Sequence, residues 1–313
     1  MAVLDHEAEL ARAGAHVRGW RSHVAFLARR YPLGAIGFLL VLVFVATALF
    51  AGFLAPMDPL ATNAKASLAR PGDTFLLGAD FMGRDMLSRI VYGARTSLLL
   101  ALASVLIAAT VGVTLGLVSG WAGGRVDAAI MSAVEAQLSL PYLLFAIAFM
   151  ALLGSSLTNL VIVLVLRSWV VYAQLVRVSV RSMKTREFVT VAVALGARAT
   201  RIVFRHIAPN VLAPALVVSS FQLAELIIVE SSLGFLGLGV QPPTPSWGSM
   251  LSQGREYLGS AWWLVAFPGI AIVLTVLGAN LFGDALRDAL DPRLRTRARA
   301  PRRLFRRSLK EIS

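Results

Sequence analysis

Residues 33–54 contain no charged side chain. A bilayer core about 30 Å thick calls for about 20 mostly apolar residues per helix, and this run meets that length without interruption. Five more stretches qualify. Residues 97–121 form the second. Residues 136–166 are also uncharged but too long for one crossing, and the polar interruption Gly154-Ser155-Ser156-Leu157-Thr158-Asn159 divides the region into expected spans at 128–153 and 157–175. Residues 211–232 and 262–282 supply the fifth and sixth. The expected fold is therefore an all-α integral membrane protein with six transmembrane helices. Composition agrees, since 57% of the 313 residues are hydrophobic and 15% charged, against roughly a quarter charged in a soluble domain. Ala46-Thr47-Ala48 resembles a signal-cleavage site, but the apolar run is longer than the roughly 7–15 residues of a signal peptide, so a retained first span is expected.

The net charge of +13 raises nucleic-acid binding, and the placement of the charges argues against it. Ten of the 30 Lys and Arg lie between Arg287 and Lys310, five precede Tyr31, and seven lie between Arg177 and Arg205. These clusters flank apolar runs rather than forming one soluble face. The positive-inside rule then places the N-terminal segment 1–32, the loop 176–210 and the basic tail 293–313 in the cytoplasm, an N-in/C-in arrangement. The tail is expected to be drawn to anionic lipid. The outer segment 55–96 carries five positive and four negative residues, and residues 233–261 carry only Arg255 against Glu256.

Several chemistries are excluded by what the chain lacks. With no cysteine there is no thiolate metal site, disulfide or cysteine nucleophile. His6, His16 and His23 sit in the polar N-terminal segment and His206 is isolated, so no metal site is expected. A P-loop needs Gly before its Lys. Here Lys65, Lys184 and Lys310 follow Ala64, Met183 and Leu309, so no P-loop is expected in this chain and no catalytic residue is assigned. Gly234, Gly237 and Gly239 read as an outer loop rather than a nucleotide cradle.

Inside the expected spans, Gly112, Gly116 and Gly120 share one helix face, which permits close helix contact within this subunit or with a partner. Charged residues in spans are Glu135, Arg167, Glu225 and Glu230, each costly at the bilayer centre unless paired or hydrated. Arg167 and Glu225 are the deepest, and either a hydrated translocation path or a structural ion pair accommodates them. Gln222 shares a face with Glu225, whereas Glu225 and Glu230 lie about 140° apart and cannot both point into one lumen. Arg167, Gln222, Glu225 and Glu230 are the candidates for the path.

The inner loop has room for two short helices. Residues 187–197 have helix-compatible composition ending near Gly196, followed by a basic stripe of Arg198, Arg201 and Arg205. Pro209 and Pro214 lead into the fifth span. A helix lying on anionic headgroups and a docking element for a cytoplasmic partner are both compatible with this pattern.

From this loop onward the sequence resembles the permease subunits of binding-protein-dependent ABC importers, whose inner loop carries a Glu-Ala-Ala…Gly motif. Residues 187–197, with Arg205-His206-Ile207-Ala208-Pro209-Asn210, look like the peptide-transporter version. Ala192 and Gly196 match, Thr190 and Val191 replace the motif's Glu and first Ala, and Ala208 replaces the usual Leu. Leu77-Gly78-Ala79-Asp80, Gly83-Arg84-Asp85 and Leu87-Ser88-Arg89 resemble the C-type dipeptide and oligopeptide subunits. So do residues 235–248, Gly283-Asp284-Ala285-Leu286-Arg287-Asp288 and Leu290-Asp291-Pro292-Arg293.

The resemblance implies a type I importer permease fold in a bacterial or archaeal cytoplasmic membrane. It further implies a homologous second permease, two ATP-binding subunits and an extracytoplasmic solute-binding protein. The helix at 187–197 would sit in an ATPase groove, making Glu187, Thr190, Ala192, Gly196 and Ala197 the coupling residues. Asp80, Arg84, Asp85 and Trp247 are candidates for outer-face contacts with a partner, or staples of the outer loops. Di- or oligopeptides are the implied substrates, with nickel chelates, glutathione, opines or sugars as alternatives carried by similar permeases. An ATPase-independent secondary transporter or channel is the rival from another class.

Overall fold

The computed structural model describes residues 32–290. The expected N-terminal segment, apart from Pro32, and the basic tail lie outside the described residues. Within them the chain is helical, with a single isolated bridge between Ala79 and Asp85. In order, the helices are α1 (Pro32–Leu49), α2 (Ala51–Leu54), α3 (Met86–Ala122), α4 (Gly124–Leu138), α5 (Tyr142–Leu153) and α6 (Leu157–Lys184). They continue with α7 (Glu187–Ala194), α8 (Ala199–Ile202), a π turn (Val203–Ile207), α9 (Ala208–Phe235), α10 (Trp247–Gly254) and α11 (Trp263–Leu290). Five helical stretches are long and apolar enough to cross a membrane, and the pair α4–α5 makes a sixth if it counts as one span.

Several boundaries differ from the sequence expectation, most by a few residues, and three differ by more or change the path of the chain. Helix α3 starts at Met86, eleven residues before the expected span at 97, because Asp85 caps it by accepting from the Ser88 amide at 2.8 Å. Charge did not end the helix there, since Arg89 is paired inside the protein. Helix α6 runs on past the expected end at 175 to Lys184. The expected single helix at 128–153 is broken at residues 139–141, where α4 and α5 meet at 88°. Pro141 explains the break, because it lacks an N–H and biases Leu140 away from helical backbone. The expected division near Gly154 is real, and Gly154 ends α5 with φ +84°.

Close helix contact organises the bundle. A Cβ on Gly112 would stand 2.3 Å from the Trp169 carbonyl and 2.6 Å from Tyr172 Cβ. One on Gly116 would meet Val176 Cβ at 2.7 Å, and one on Gly120 would meet Val180 Cβ at 2.7 Å. The glycine face thus seats α3 on α6 within this chain. A second seam joins α1 to α11, where Gly37 abuts Leu281 and Gly278 abuts Leu40. Gly234, Gly239 and Gly248 bring the end of α9 against the start of α10, backbone on backbone. The largest apolar cluster, including Leu98, Val105, Leu160, Leu164, Leu226, Ile227 and Trp247, fills the space among α3, α6, α9 and α10.

Candidate functional site

The end of the bundle expected to face the cytoplasm carries a short handle. Helix α7 is fixed to the bundle by Val189, buried with Leu117, Val176, Val180, Ile202 and Ile207. Its other apolar side chains, Phe188, Val191, Val193 and the following Leu195, are exposed, as is Phe204. The helix ends at Ala194, three residues short of the expected end at 197, in a glycine-terminated cap. Gly196 has φ +77°, its N–H donates to the Val193 carbonyl at 2.9 Å, and the Ala197 N–H donates to the Ala192 carbonyl at 3.0 Å. Ala192 and Ala197 pack half-buried against the apolar cluster beneath. The motif residues therefore divide by role: Ala192, Gly196 and Ala197 shape the handle, while Glu187 and Thr190 stand exposed on it. The Thr190 hydroxyl donates back to the Arg186 carbonyl at 3.4 Å. Glu187, one turn earlier, is the carboxylate the handle presents.

Beneath the handle is a hub that the sequence reading did not find. Asp127, on the first turn of α4, accepts from Ser119 at 2.6 Å, from Arg177 Nε at 2.5 Å and Nη2 at 2.8 Å, and from Arg181 at 2.6 Å. One buried carboxylate thus joins α3, α4 and α6 at the handle end of the bundle. Lys184 Nζ donates to the Trp121 carbonyl at 2.7 Å and lies over the Trp121 ring. The available signal was a lone acid between spans otherwise flanked by arginines.

At mid-height Arg167 on α6 and Glu225 on α9 form an ion pair of 2.6 Å, and Gln222 donates to the other Glu225 oxygen at 2.8 Å. Arg167 also lies over the Tyr142 ring at 5.4 Å, directly after the α4–α5 break. That break is held to α6 by Gln137, which donates to the Leu166 carbonyl and accepts from Trp169 at 2.7 Å. Glu230 does not join this group, in line with its offset of about 140° from Glu225, and its burial removes it from the path candidates. It is fully buried against α3, accepting from Ser97 at 3.2 Å and Ser231 at 3.4 Å. Five residues of helix turn it away from Glu225, toward the α3–α10 joint.

For the outer residues the structure favours staples over contact surface. Asp80, Arg84, Asp85 and Trp247 are buried in this chain and offer no surface to a partner. Asp80 pairs with Arg84 at 2.6 Å and Arg89 at 3.3 Å, and both arginines donate to Gln253 on α10. Asp85 is the cap of α3. The Trp247 indole donates to the Ile90 carbonyl at 3.1 Å and packs edge-on to Phe44. They are staples of the outer segment, holding it across α3, α10 and α1.

Comparison with known proteins places this geometry. Residues 112–296 match the family described as binding-protein-dependent transport system inner membrane component. The chain is 43% identical over 285 residues to the di/tripeptide transport system permease protein DppC of Pseudomonas aeruginosa, covering 89% of this chain and 92% of that one. It is 44% identical over 273 residues to the dipeptide transport system permease protein DppC of Escherichia coli, covering 85% and 91%. Over 291 residues it is 35% identical to the probable D,D-dipeptide transport system permease protein DdpC of E. coli, covering 93% and 98%.

Proposed function

Since the chain belongs to the family of binding-protein-dependent transport system inner membrane components, a multi-pass membrane permease family, we propose that it forms half of the translocation pore of an ATP-driven importer of di- and oligopeptides. The observation that carries this reading is similarity to dipeptide permeases over nearly nine-tenths of the chain. In this reading a homologous permease completes the pore, an extracytoplasmic binding protein delivers peptide, and two separate ATPases hydrolyse ATP with Mg. The chain itself performs no catalysis. It sits in a bacterial or archaeal cytoplasmic membrane with both termini inside.

The exposed apolar handle supports the coupling role. An ATPase groove closing over Phe188, Val191 and Leu195 would bury surface that water otherwise meets, and Glu187 supplies the charge that Thr190 does not. Movement would then pass through Val189 to the inner ends of α6 and α9.

Purification of this chain from cells expressing its whole system should bring down a nucleotide-binding subunit, and the reconstituted complex should take up dipeptide only with ATP. Vanadate-insensitive uptake by the purified chain alone would overturn the reading. Within that assay, Gly196→Val should lower uptake at normal membrane levels, because a branched residue in the left-handed region costs about 1–2 kcal/mol and nothing compensates. Space is not the reason, as a Cβ there meets nothing within 4 Å. Gly196→Asn, which tolerates that conformation, should retain more uptake than Gly196→Val. Equal uptake by both variants and wild type would remove the cap from the coupling path.

A further inference from the structure

Among the ion pairs of the described residues, Arg167 with Glu225 is the one whose carboxylate stays open. The Glu225 side chain is 37% exposed and Arg167 27%, whereas the Asp80 and Asp127 side chains that anchor the other pairs are 4% and 9% exposed. Arg167 lies ten residues into α6 and Glu225 ten residues before the end of α9. At 1.5 Å per residue each is roughly 15 Å from the outer helix ends, near the middle of the bilayer. Beside them Gln222 is buried, and its Oε1 has no hydrogen-bond partner.

We propose that Arg167, Glu225 and Gln222 form a transit site for the charged ends of a free peptide, Arg167 receiving the α-carboxylate and Glu225 with Gln222 Oε1 the α-ammonium. This rests on the peptide-import reading above. Separating the ion pair at mid-membrane strands two charges, each expensive there unless repartnered. A neutral solute leaves both stranded. A zwitterion exchanges one ion pair for two, so every charge keeps a partner as the pair opens. Its ammonium has three N–H donors to place, one Glu225 oxygen already accepts from Gln222, and the unpartnered Gln222 oxygen is the additional acceptor. Two extended residues span roughly 7 Å, a separation that a modest parting of the two side chains provides.

The test uses the complete transporter in proteoliposomes, comparing ATP-driven uptake of Ala-Ala, N-acetyl-Ala-Ala and Ala-Ala-amide. The binding protein is the same throughout, so changes in ratio between permease variants report on the permease. Glu225→Gln should narrow the preference for Ala-Ala over the acetylated peptide by about tenfold or more, the worth of a hydrogen bond to a charged group. Arg167→Gln should narrow the preference over the amide by a similar factor. Arg167→Lys and Glu225→Asp should largely retain both preferences. A dipeptide bearing a diazirine side chain should label α6 or α9 near Arg167 and Glu225 in the vanadate-trapped complex.

Equal loss of all three peptides in both neutral variants, or unchanged ratios, would make the pair purely structural and overturn the proposal. Labelling confined to other helices would overturn it as well. If the wild-type complex takes up no dipeptide, the peptide-import reading falls first, and this site falls with it.

Discussion

Asp80→Ala should destabilise the protein by about 3–5 kcal/mol, the cost of leaving a buried charge without its partner. Asp80 holds two arginines at once, and the Arg84 and Arg89 side chains are only 7% and 2% exposed. Gln253 is a shared acceptor for both but carries no charge to replace the carboxylate. The same carboxylate also accepts the Met82 and Arg84 amides, so the turn leading into α3 loses its tie as well. Thermal unfolding of the purified protein in detergent is the measurement. Asp80→Asn, which keeps acceptor capacity but not charge, should fall between alanine and wild type. A wild-type midpoint for Asp80→Ala would mean that the outer staple adds nothing to stability.

The second large effect is expected at the α3–α6 seam. Gly112→Leu should cost about 3 kcal/mol, the upper range for overpacking a close contact, because the new side chain begins 2.3 Å from the Trp169 carbonyl. Backbone is on the receiving side, so no rotamer change relieves the clash. Helix α3 would have to part from α6, loosening Tyr172 and its hydrogen bond to Ser219 on α9. Gly269 lies on α11 where a Cβ would meet nothing within 4 Å, and Gly269→Leu serves as the control in the same melting experiment. Equal melting of the two variants would show that the α3–α6 seam is less tight than these distances say.

The apolar runs made the helices legible in the sequence because a membrane-crossing segment must satisfy its own backbone and present mostly apolar side chains. What they do not carry is where a helix continues on charged residues that are paired internally. The expected second span began at 97, just after Arg95, yet α3 runs back through Arg89, which Asp80 from the preceding loop neutralises. The break at Pro141 was hidden for the opposite reason. It sits in a long uncharged stretch, where the polar residues at 154–159 drew attention as the division, and Leu140-Pro141 carried the signal that was not used.

The candidate sites were legible as residue types but not as partners. Arg167, Gln222 and Glu225 were placed together from their depth and helical spacing, and the structure joins them by two short hydrogen bonds. Glu230 shared their chemistry, and helical spacing turned it away from Glu225, but only the packing shows that it faces Ser97 on α3. The outer quartet illustrates the same limit. A charged or aromatic residue in an external loop invites a reading as contact surface, and its burial depends on residues more than a hundred positions away, such as Gln253 for Arg84. Asp127 went unnoticed because its three partners lie on two other helices.

The glycine seam between α3 and α6 also has a mechanical side. Two helices in backbone contact along three successive turns, and tied at the inner end through Asp127, behave as a single stiff strut rather than as two sliding rods. Slippage along their shared axis would drive Gly112, Gly116 and Gly120 onto neighbouring side chains within a fraction of a turn. Compliance in this half of the bundle is thereby concentrated at the elbow of residues 139–141, which has no continuous backbone ladder and is tethered to the strut through Gln137 and Tyr142. In the coupling proposed above, a pull on the handle would turn the strut as a unit, with the elbow as the joint that yields.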